Sequence, residues 1–233
     1  MPVYISLIIP AHNVEKTLEI VVEQSIQELK KIEKTFELII AEDGSRDKTY
    51  SLAKKLSTKY KSIKIFHSDR RLGKGGALTN SFKKSRGELR IFIDADYVDV
   101  PKYLNGMVSL LMKCDIVIGS RYTKLSKSRR LFKRLLASKV YNMLAKLFFL
   151  LPISDMQCGF KGMSKNVVPV LSQIRSSDYF WDTEFLVKSR RLGHRICELP
   201  ITWKEERSKN SASLIKDSFK FIKSLIKLRL GLL

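Results

Sequence analysis

Five apolar runs, alternating with segments of helical spacing, fill the first half of the chain and leave few folds open to it. Val3 to Pro10, Phe36 to Ala41, Ile63 to Phe66, Leu89 to Ile93 and Asp115 to Gly119 are short and bounded by Gly, Pro or polar residues. Such runs read as buried strands. After the first, Leu18, Val21, Val22, Ile26 and Leu29 repeat with helical period. Helices are also expected over Lys48 to Tyr60, from the glycine-rich loop at 73–76 to near Ser85, and from Pro101 to about Met112. Asp47 is a candidate N-cap and Pro101 a good first-turn residue. The expected fold class is α/β: a mostly parallel sheet with helices on both faces. In such sheets ligands bind beyond the carboxyl ends of the strands. The polar loops 10–15, 42–47 and 94–96 all lie there.

Two carboxylates stand where the fourth run ends. In Leu89-Arg90-Ile91-Phe92-Ile93-Asp94-Ala95-Asp96 the strand stops at an Asp-x-Asp pair. On extended chain an i, i+2 pair points both side chains the same way. Like charges that close repel unless a cation lies beside them. A hard divalent ion with phosphate oxygens completing its shell suits the arrangement; a solvated acidic turn is the plainer alternative. Asp43 is open between a nucleoside contact and an ordinary turn residue in Asp43-Gly44. Gly73-Lys74-Gly75-Gly76 does not fit the P-loop pattern, which argues against an ATPase, while Lys74 points to a phosphate-side contact.

The 233 residues suit one large domain or a domain with an appendage. Residues 1–100 carry 18 Lys/Arg against 14 Asp/Glu, and residues 101–233 carry 26 against 9. That asymmetry points to an anionic partner: nucleic acid, an anionic membrane surface or a phosphorylated ligand. Cys114, Cys158 and Cys197 are odd in number and show no Cys-x-x-Cys spacing. Neither a disulfide framework nor a zinc ribbon is expected, and reduced thiols in a cytosolic compartment are the plain reading. Pro10 and His12 interrupt the N-terminal apolar run, so it does not read as a signal peptide. Leu147 to Ile153 is too short to span a bilayer as a helix, and no transmembrane helix is expected.

From Ser120 the texture changes. Lys124, Lys127, Arg129, Arg130, Lys133 and Arg134 crowd one span, and the segment to Leu151 then reads as a basic amphipathic helix. Asp155 to Lys161 reads as a polar loop around Gly159, Trp181 to about Leu192 as a helix, and Arg195 to Trp203 as extended chain. In the tail, Ile215, Phe219, Ile222 and Ile226 share one face and Lys216, Lys220, Lys223 and Lys227 another. Such a helix lies in a membrane interface or docks on its own core. Basic residues on amphipathic helices, without aromatics interleaved on a strand face, speak against RNA.

These residues resemble the family 2 inverting glycosyltransferases of GT-A fold, specifically the polyprenyl-phosphate sugar synthases, over essentially the whole chain. Pro10-Ala11-His12-Asn13 resembles the family's Pro-x-Tyr-Asn, and Glu42-Asp43-Gly44-Ser45-Arg46-Asp47-Lys48-Thr49 its Asp-Asp-Gly-Ser-x-Asp-x-Thr. Asp94-Ala95-Asp96 is similar to its metal motif and Gly119-Ser120-Arg121 to its Gly-Ser-Arg. Asp155-x-Gln157-Cys158-Gly159-Phe160-Lys161, Trp181-Asp182-x-Glu184 and Trp203 with Ser208-Lys209 look like the dolichyl-phosphate glucosyltransferases more than the mannose synthases. His12 stands for the usual Tyr, Val14 for a common Glu with Glu15 as substitute, Glu42 for the first Asp of its motif, and Val98 where some mannose synthases have Gln.

The resemblance implies a GT-A domain over 1–206, with a nucleotide-sugar half (1–120) and an acceptor half (121–206). Residues 207–233 form an amphipathic helix for membrane-surface contact. It implies a nucleotide-sugar donor, UDP-glucose first, and dolichyl or polyprenyl monophosphate as acceptor, at the cytoplasmic face of a membrane. Mannose or N-acetylglucosamine transfer is the alternative within the class. A non-enzymatic basic binder of membranes or nucleic acid is the alternative outside it. Pro10, Ala11, Asn13, Glu15, Asp43, Lys74, Asp94 and Ala95 are then expected at the nucleotide, and Asp94 and Asp96 at Mg²⁺ or Mn²⁺. Asp96 and Arg121 are the catalytic candidates. Arg121, Arg130, Arg134 and Lys209 are expected at the acceptor phosphate. Asp155, Gln157, Asp182 and Glu184 are expected at sugar hydroxyls, with Asp182 alternatively a helix N-cap.

Overall fold

Alternation along the first strand divides the interior into two cores. In β1 (Ile5–Ala11), Ile5, Leu7 and Ile9 enter the core on one face of the sheet and Ile8 the core on the other. β2 (Phe36–Asp43) and β4 (Leu89–Ile93) repeat the pattern: Leu38, Ile40, Ile91 and Ile93 face one way, Ile39 and Phe92 the other. A strand buried on both faces is apolar at most steps, hence the near-continuous runs; the buried Ser6 and Glu37 satisfy each other, Ser6 Oγ–H donating to Glu37 Oε1 at 2.7 Å. The computed structural model describes residues 2–126, 128–129, 132–204 and 211–233, and side chains outside 127–137 and 204–219.

The sheet is completed by β3 (Ile63–Ser68), β5 (Ile116–Ser120), β7 (Phe160–Ser164) and β8 (Ile196–Pro200), in the order β3-β2-β1-β4-β7-β5-β8. β7 runs antiparallel to both neighbours, and the remaining pairs are parallel. A separate two-stranded ladder joins β6 (Ser128–Arg129) to β9 (Trp203–Lys204). On one face lie α1 (Leu18–Lys31), α2 (Thr49–Lys59) and α4 (Leu104–Leu111). On the other lie α3 (Lys74–Lys84), α5 (Phe132–Phe149), α6 (Trp181–Arg191) and α7 (Ser211–Arg229). α1 buries Leu18, Val21, Val22, Ile26 and Leu29, the five residues whose spacing predicts it. Asp47 Oδ1 accepts from Thr49 N–H (2.9 Å) at the start of α2.

Trp181 ties α6 to α3. It is fully buried and stacks on Phe82 and Phe185, with ring centroids 6.1 and 5.1 Å apart. Its indole N–H donates to Thr79 Oγ1 at 2.8 Å. Aromatic pairs of this kind contribute about 0.5–1.5 kcal/mol each beyond area burial. The contact sets the first turn of α6, and with it Asp182, against the start of α3.

Two features depart from the sequence expectation. The polar loop expected to reach Lys161 gives way at Phe160 to strand β7, in the middle of the sheet. Lys161 and Gly162 break its apolar run, yet both have buried roles. Lys161 is fully buried on charged and carbonyl partners. Gly162 lets α4 approach, since a β-carbon there would stand 2.7 Å from Leu111 Cδ1 and 2.9 Å from Met107 Sδ. The reading of all thiols as reduced is also corrected: Cys114 and Cys197 form a disulfide, leaving the buried Cys158 free. β5 and β8 pair in parallel, Val117 opposite Cys197, and bring together cysteines 83 residues apart.

Candidate active site

The carboxyl ends of β1, β2 and β4 open on the same edge of the sheet, because these strands are mutually parallel. Pro10 and Ala11 end β1, Asp43 ends β2, and Asp94 follows β4. Beside the first two, a cleft of about 790 Å³ is lined by His12, Asn13, Ser45, His67, Arg70 and Arg71, among others. Asn13 sits in the left-handed region (φ 53°) and its Oδ1 accepts from Arg46 N–H at 2.8 Å. Asn tolerates that conformation better than most residues. Glu15 is exposed, and its Oε2 accepts from Lys48 N–H at 2.9 Å. These contacts fix the loop after β1 to the turn after β2.

Asp43 is buried and accepts two backbone bonds, from Leu72 N–H (2.6 Å) and Gly73 N–H (3.0 Å). It thus shapes the glycine-rich loop that delivers Lys74. Gly73 holds φ 84°, and a β-carbon there would collide with the carbonyl of Ser177. Glu42, in the family's first Asp position, accepts from Ser45 N–H at 2.6 Å and lies 2.5 Å from His67 Nδ1. His67 Nε2 is 3.0 Å from Asp69, and its ring stacks on Tyr50. Burial pulls the His67 pKa down, but the two carboxylates outweigh it and raise it above the ordinary value.

At the end of β4 a lysine lies between carboxylates. Lys74 Nζ is 2.9 Å from Asp94 Oδ2 and 3.3 Å from Asp182 Oδ2. Burial opposes its charge, but Asp182 and Asp94 prevail and its pKa is raised. Asp94 is pushed up to about 6: burial is the main cause, Lys74 pulls it down, and Asp96 and Asp182 push it further up. Asp94 N–H donates to Gly159 O at 2.7 Å, fixing the strand end to the 155–161 loop. Ala95 is buried and Asp96 half-buried.

These residues fit a divalent cation. Asp94 Oδ1 is buried with no hydrogen-bond partner, a costly state that a cation would relieve. Among the described residues no cluster of three or more His, Cys, Asp or Glu could hold a metal. The two carboxylates would therefore rely on donor phosphate oxygens to complete the shell, as hard cations at phosphate sites commonly do.

The acceptor-side candidates divide. Asp182 is buried in the first turn of α6 rather than at the N-cap, which is Phe180. Its Oδ1 is 2.5 Å from Lys161 Nζ, which also donates to Cys158 O (2.6 Å). Both Asp182 oxygens are therefore held by ammonium groups. Gln157 leaves its buried Nε2 without a partner, a donor available to a ligand oxygen. Asp155 and Arg121 are instead committed to each other. Arg121 Nε and Nη2 meet the two Asp155 oxygens at 2.6 and 2.8 Å, and Nη1 donates to Tyr97 Oη at 3.0 Å. Burial would raise the Asp155 carboxyl, but Arg121 holds it below its ordinary value. Asp155 and Arg121, expected at the sugar and the acceptor phosphate, are thus paired with each other. Glu184 likewise accepts from Arg175 N–H (3.0 Å) and Ser176 N–H (2.8 Å) and pairs with Lys188. It fastens the preceding loop. Arg130, Lys209 and the side chain of Arg134 lie outside the described residues.

Sequence reading passed over Lys161, Tyr97 and the histidine at 67. Tyr97 Oη accepts from both Arg121 and Gly159 N–H (3.2 Å), so it joins the two loops that meet behind Asp94.

The sequence model of the family described as "Glycosyl transferase family 2" matches residues 6–171. Glycosyltransferase AglD of Haloferax volcanii is 34% identical over 220 residues, covering 92% of this chain and 35% of that protein. The chain thus spans about a third of that relative's length. Dolichyl-phosphate beta-glucosyltransferase ALG5A of Trichomonas vaginalis is 33% identical over 243 residues, covering 98% of this chain and 75% of that protein. Among solved structures, glucosyl-3-phosphoglycerate synthase from Mycobacterium tuberculosis, in complex with Mn²⁺, UDP and glucosyl-3-phosphoglycerate, superposes with a TM-score of 0.73 at 24% identity. That match covers 98% of this chain and 80% of the other and shows a shared fold.

Proposed function

The chain belongs to glycosyl transferase family 2, and from that premise we propose that it moves glucose from UDP-glucose to a polyprenyl monophosphate such as dolichyl phosphate, with inversion at the anomeric carbon. The observation that carries the reading is Lys74 between Asp94 and Asp182: a cation beside the metal-competent carboxylates, on the loop shaped by Asp43.

In this reading the cleft lined by His12, Asn13 and Ser45 takes the nucleoside. Pro10, Ala11 and Ala95 pack beside the donor, and Glu15 and Asp43 hold the loops around it. Lys74 turns its ammonium to the diphosphate and stays tethered through Asp182. Asp96 and Asp94 would hold a divalent ion, Mg²⁺ or Mn²⁺, which when bound would supply Lewis-acid stabilisation of the leaving diphosphate. The acceptor phosphate is already ionised, with a second pKa of about 6, so it attacks without a general base. Its oxygen bonds to the anomeric carbon as the bond to the UDP oxygen breaks. Arg130, Arg134 and Lys209 orient it, because charge-assisted bonds hold phosphate well. Arg121 and Asp155 keep the loop behind Asp94 in place. Gln157 donates to a sugar hydroxyl. An acceptor of this class is embedded in a bilayer, so the enzyme works at a membrane surface.

The test is transfer of radiolabel from UDP-glucose to polyprenyl phosphate, with Mn²⁺ or with EDTA, counted in the organic phase. Metal-dependent lipid-linked label is the expected result. Label from GDP-mannose or UDP-N-acetylglucosamine in place of UDP-glucose would overturn the sugar assignment. Folded protein that labels lipid from no donor would overturn the acceptor.

A further inference from the structure

We propose that Lys74 is a resident counter-ion at the metal site: it holds Asp94 until a divalent cation and a diphosphate arrive together, and then exchanges the carboxylate for the diphosphate. The inference rests on the proposed nucleotide donor and concerns how that donor's site is regulated. Its basis is a row of charges of alternating sign, Lys161, Asp182, Lys74 and Asp94, each within hydrogen-bond distance of the next. Side-chain exposure rises along the row, from 0% at Lys161 through 2% and 11% to 22% at Asp94. The row is therefore closed at Lys161 and open at Asp94, the end that an ion can reach.

Asp94 cannot take an ion as it stands. Its Oδ1 is buried, and its Oδ2 is 2.9 Å from Lys74 Nζ. Retreat is blocked, because Gly159 lies against the carboxylate with no room for even a β-carbon. To ligate, Asp94 must turn, and turning breaks its bond to Lys74. The ammonium does not follow. Asp182 keeps hold of it, and Asp182 is itself fixed by Lys161, whose Nζ also donates to Cys158 O. Lys74 Nζ lies 5.1 Å from the centroid of the Phe92 ring as well, a face that favours a cation. An ammonium has three N–H donors, and among the described residues the two carboxylates are the acceptors that Lys74 meets. Once Asp94 turns away, two of the three donors are open to phosphate oxygens. Charge points the same way. With Asp96 included, two ammonium groups face three carboxylates. A divalent ion alone would reverse that excess in a buried place where like charges repel strongly, and a diphosphate arriving with it restores the balance. Ion and diphosphate should therefore tighten each other's binding, with Lys74 as the group that couples them.

The test is Mn²⁺ binding to the full chain without nucleotide, followed by electron paramagnetic resonance, for the unaltered protein and for Lys74→Met. With the competing ammonium gone, the variant should bind Mn²⁺ more tightly, by a factor of roughly 5–150, the span of coupled sites. It should bind UDP about tenfold more weakly in the presence of Mn²⁺, for want of one charged hydrogen bond, and its transfer should fall despite the tighter metal. Unchanged or weaker Mn²⁺ binding by the folded variant overturns the inference, since a lysine that only braces Asp94 or only contacts phosphate gives that result. If Lys74→Met misfolds, nitrogen NMR of the lysine ammonium groups in the unaltered chain decides the question. The Lys74 signal should shift with Mg²⁺ and UDP together and stay in place with Mg²⁺ and uridine. A signal indifferent to Mg²⁺ and UDP, or one that shifts equally with uridine, overturns the inference. Lipid labelled from no donor would overturn the proposed acceptor and leave the exchange standing. Labelled lipid with unchanged Mn²⁺ affinity in Lys74→Met would overturn the exchange alone.

Discussion

Gly159 lies directly beneath Asp94: a β-carbon built on the glycine would overlap the aspartate's carboxylate. Gly159 O also accepts the Asp94 N–H. The residue after β4 and the loop before β7 are thus in contact at the point where the Asp-x-Asp pair begins. Gly159→Ala should push Asp94 aside and lower transfer on the order of a hundredfold, the effect of misplacing a reacting group by about 1 Å. Mn²⁺ binding, followed by electron paramagnetic resonance, should weaken about 10- to 100-fold. A folded Gly159→Ala protein with unchanged Mn²⁺ affinity would refute the argument.

Lys161 is fully buried against Asp182. Removing one member of a buried pair leaves the other charge without compensation, at a cost of about 3–5 kcal/mol. Lys161→Met should be destabilised by that amount in urea unfolding. Adding Asp182→Leu should restore much of the loss while leaving transfer impaired, since Lys74 loses its tether. A loss below about 1 kcal/mol, the range of surface pairs, would refute the argument.

His67 gives a pH dependence with a definite sign. Its folded pKa is raised by Glu42 and Asp69 against the opposing effect of burial. The stabilisation is therefore complete below the unfolded value, about 6.5, and is lost as pH rises through the folded one. The melting temperature of the unaltered chain should exceed that of His67→Gln most at pH 5.5–6, by the logic of that window, and the gap should close in mildly alkaline buffer. A gap that widens with pH would reverse the assignment.

The disulfide between Cys114 and Cys197 closes a long loop, with 83 residues of separation. Reduction, or the double Cys→Ser variant, should lower stability by about 2–4 kcal/mol. It should spare transfer, because Cys114 precedes β5 and the cleft lies beyond the strands' other ends. Equal unfolding curves with and without reductant would count against the bond.

The first half was readable because strands covered on both faces are mostly apolar, with exceptions such as Glu37 held by Ser6 and Lys64, so their runs stand out in the sequence. β7 hid behind Lys161 and Gly162, whose fitness for a central strand depends on Asp182 and on α4, which no local pattern contains. The cysteine pair was invisible for the same reason: only the parallel pairing of β5 with β8 makes the two neighbours. Within the site, position alone left Asp94 and Asp96 open between a cation site and a solvated acidic turn, and the family resemblance favoured the former. Arg121, Asp155 and Glu184 looked like ligands by residue type. Burial with a dedicated partner is what sets them apart from Gln157, and sequence does not carry that information.

The central strand has a consequence for how the chain comes into being. β7 fills the space between β4 and β5, yet it is synthesised after both. Until it arrives, each presents an open edge of unpaired backbone groups. Local contacts can assemble β1 to β4 with their helices early, but the sheet cannot become one piece until Ser164 has left the ribosome. Pairing so distant in sequence slows folding and lengthens the interval in which a nascent chain is exposed to aggregation.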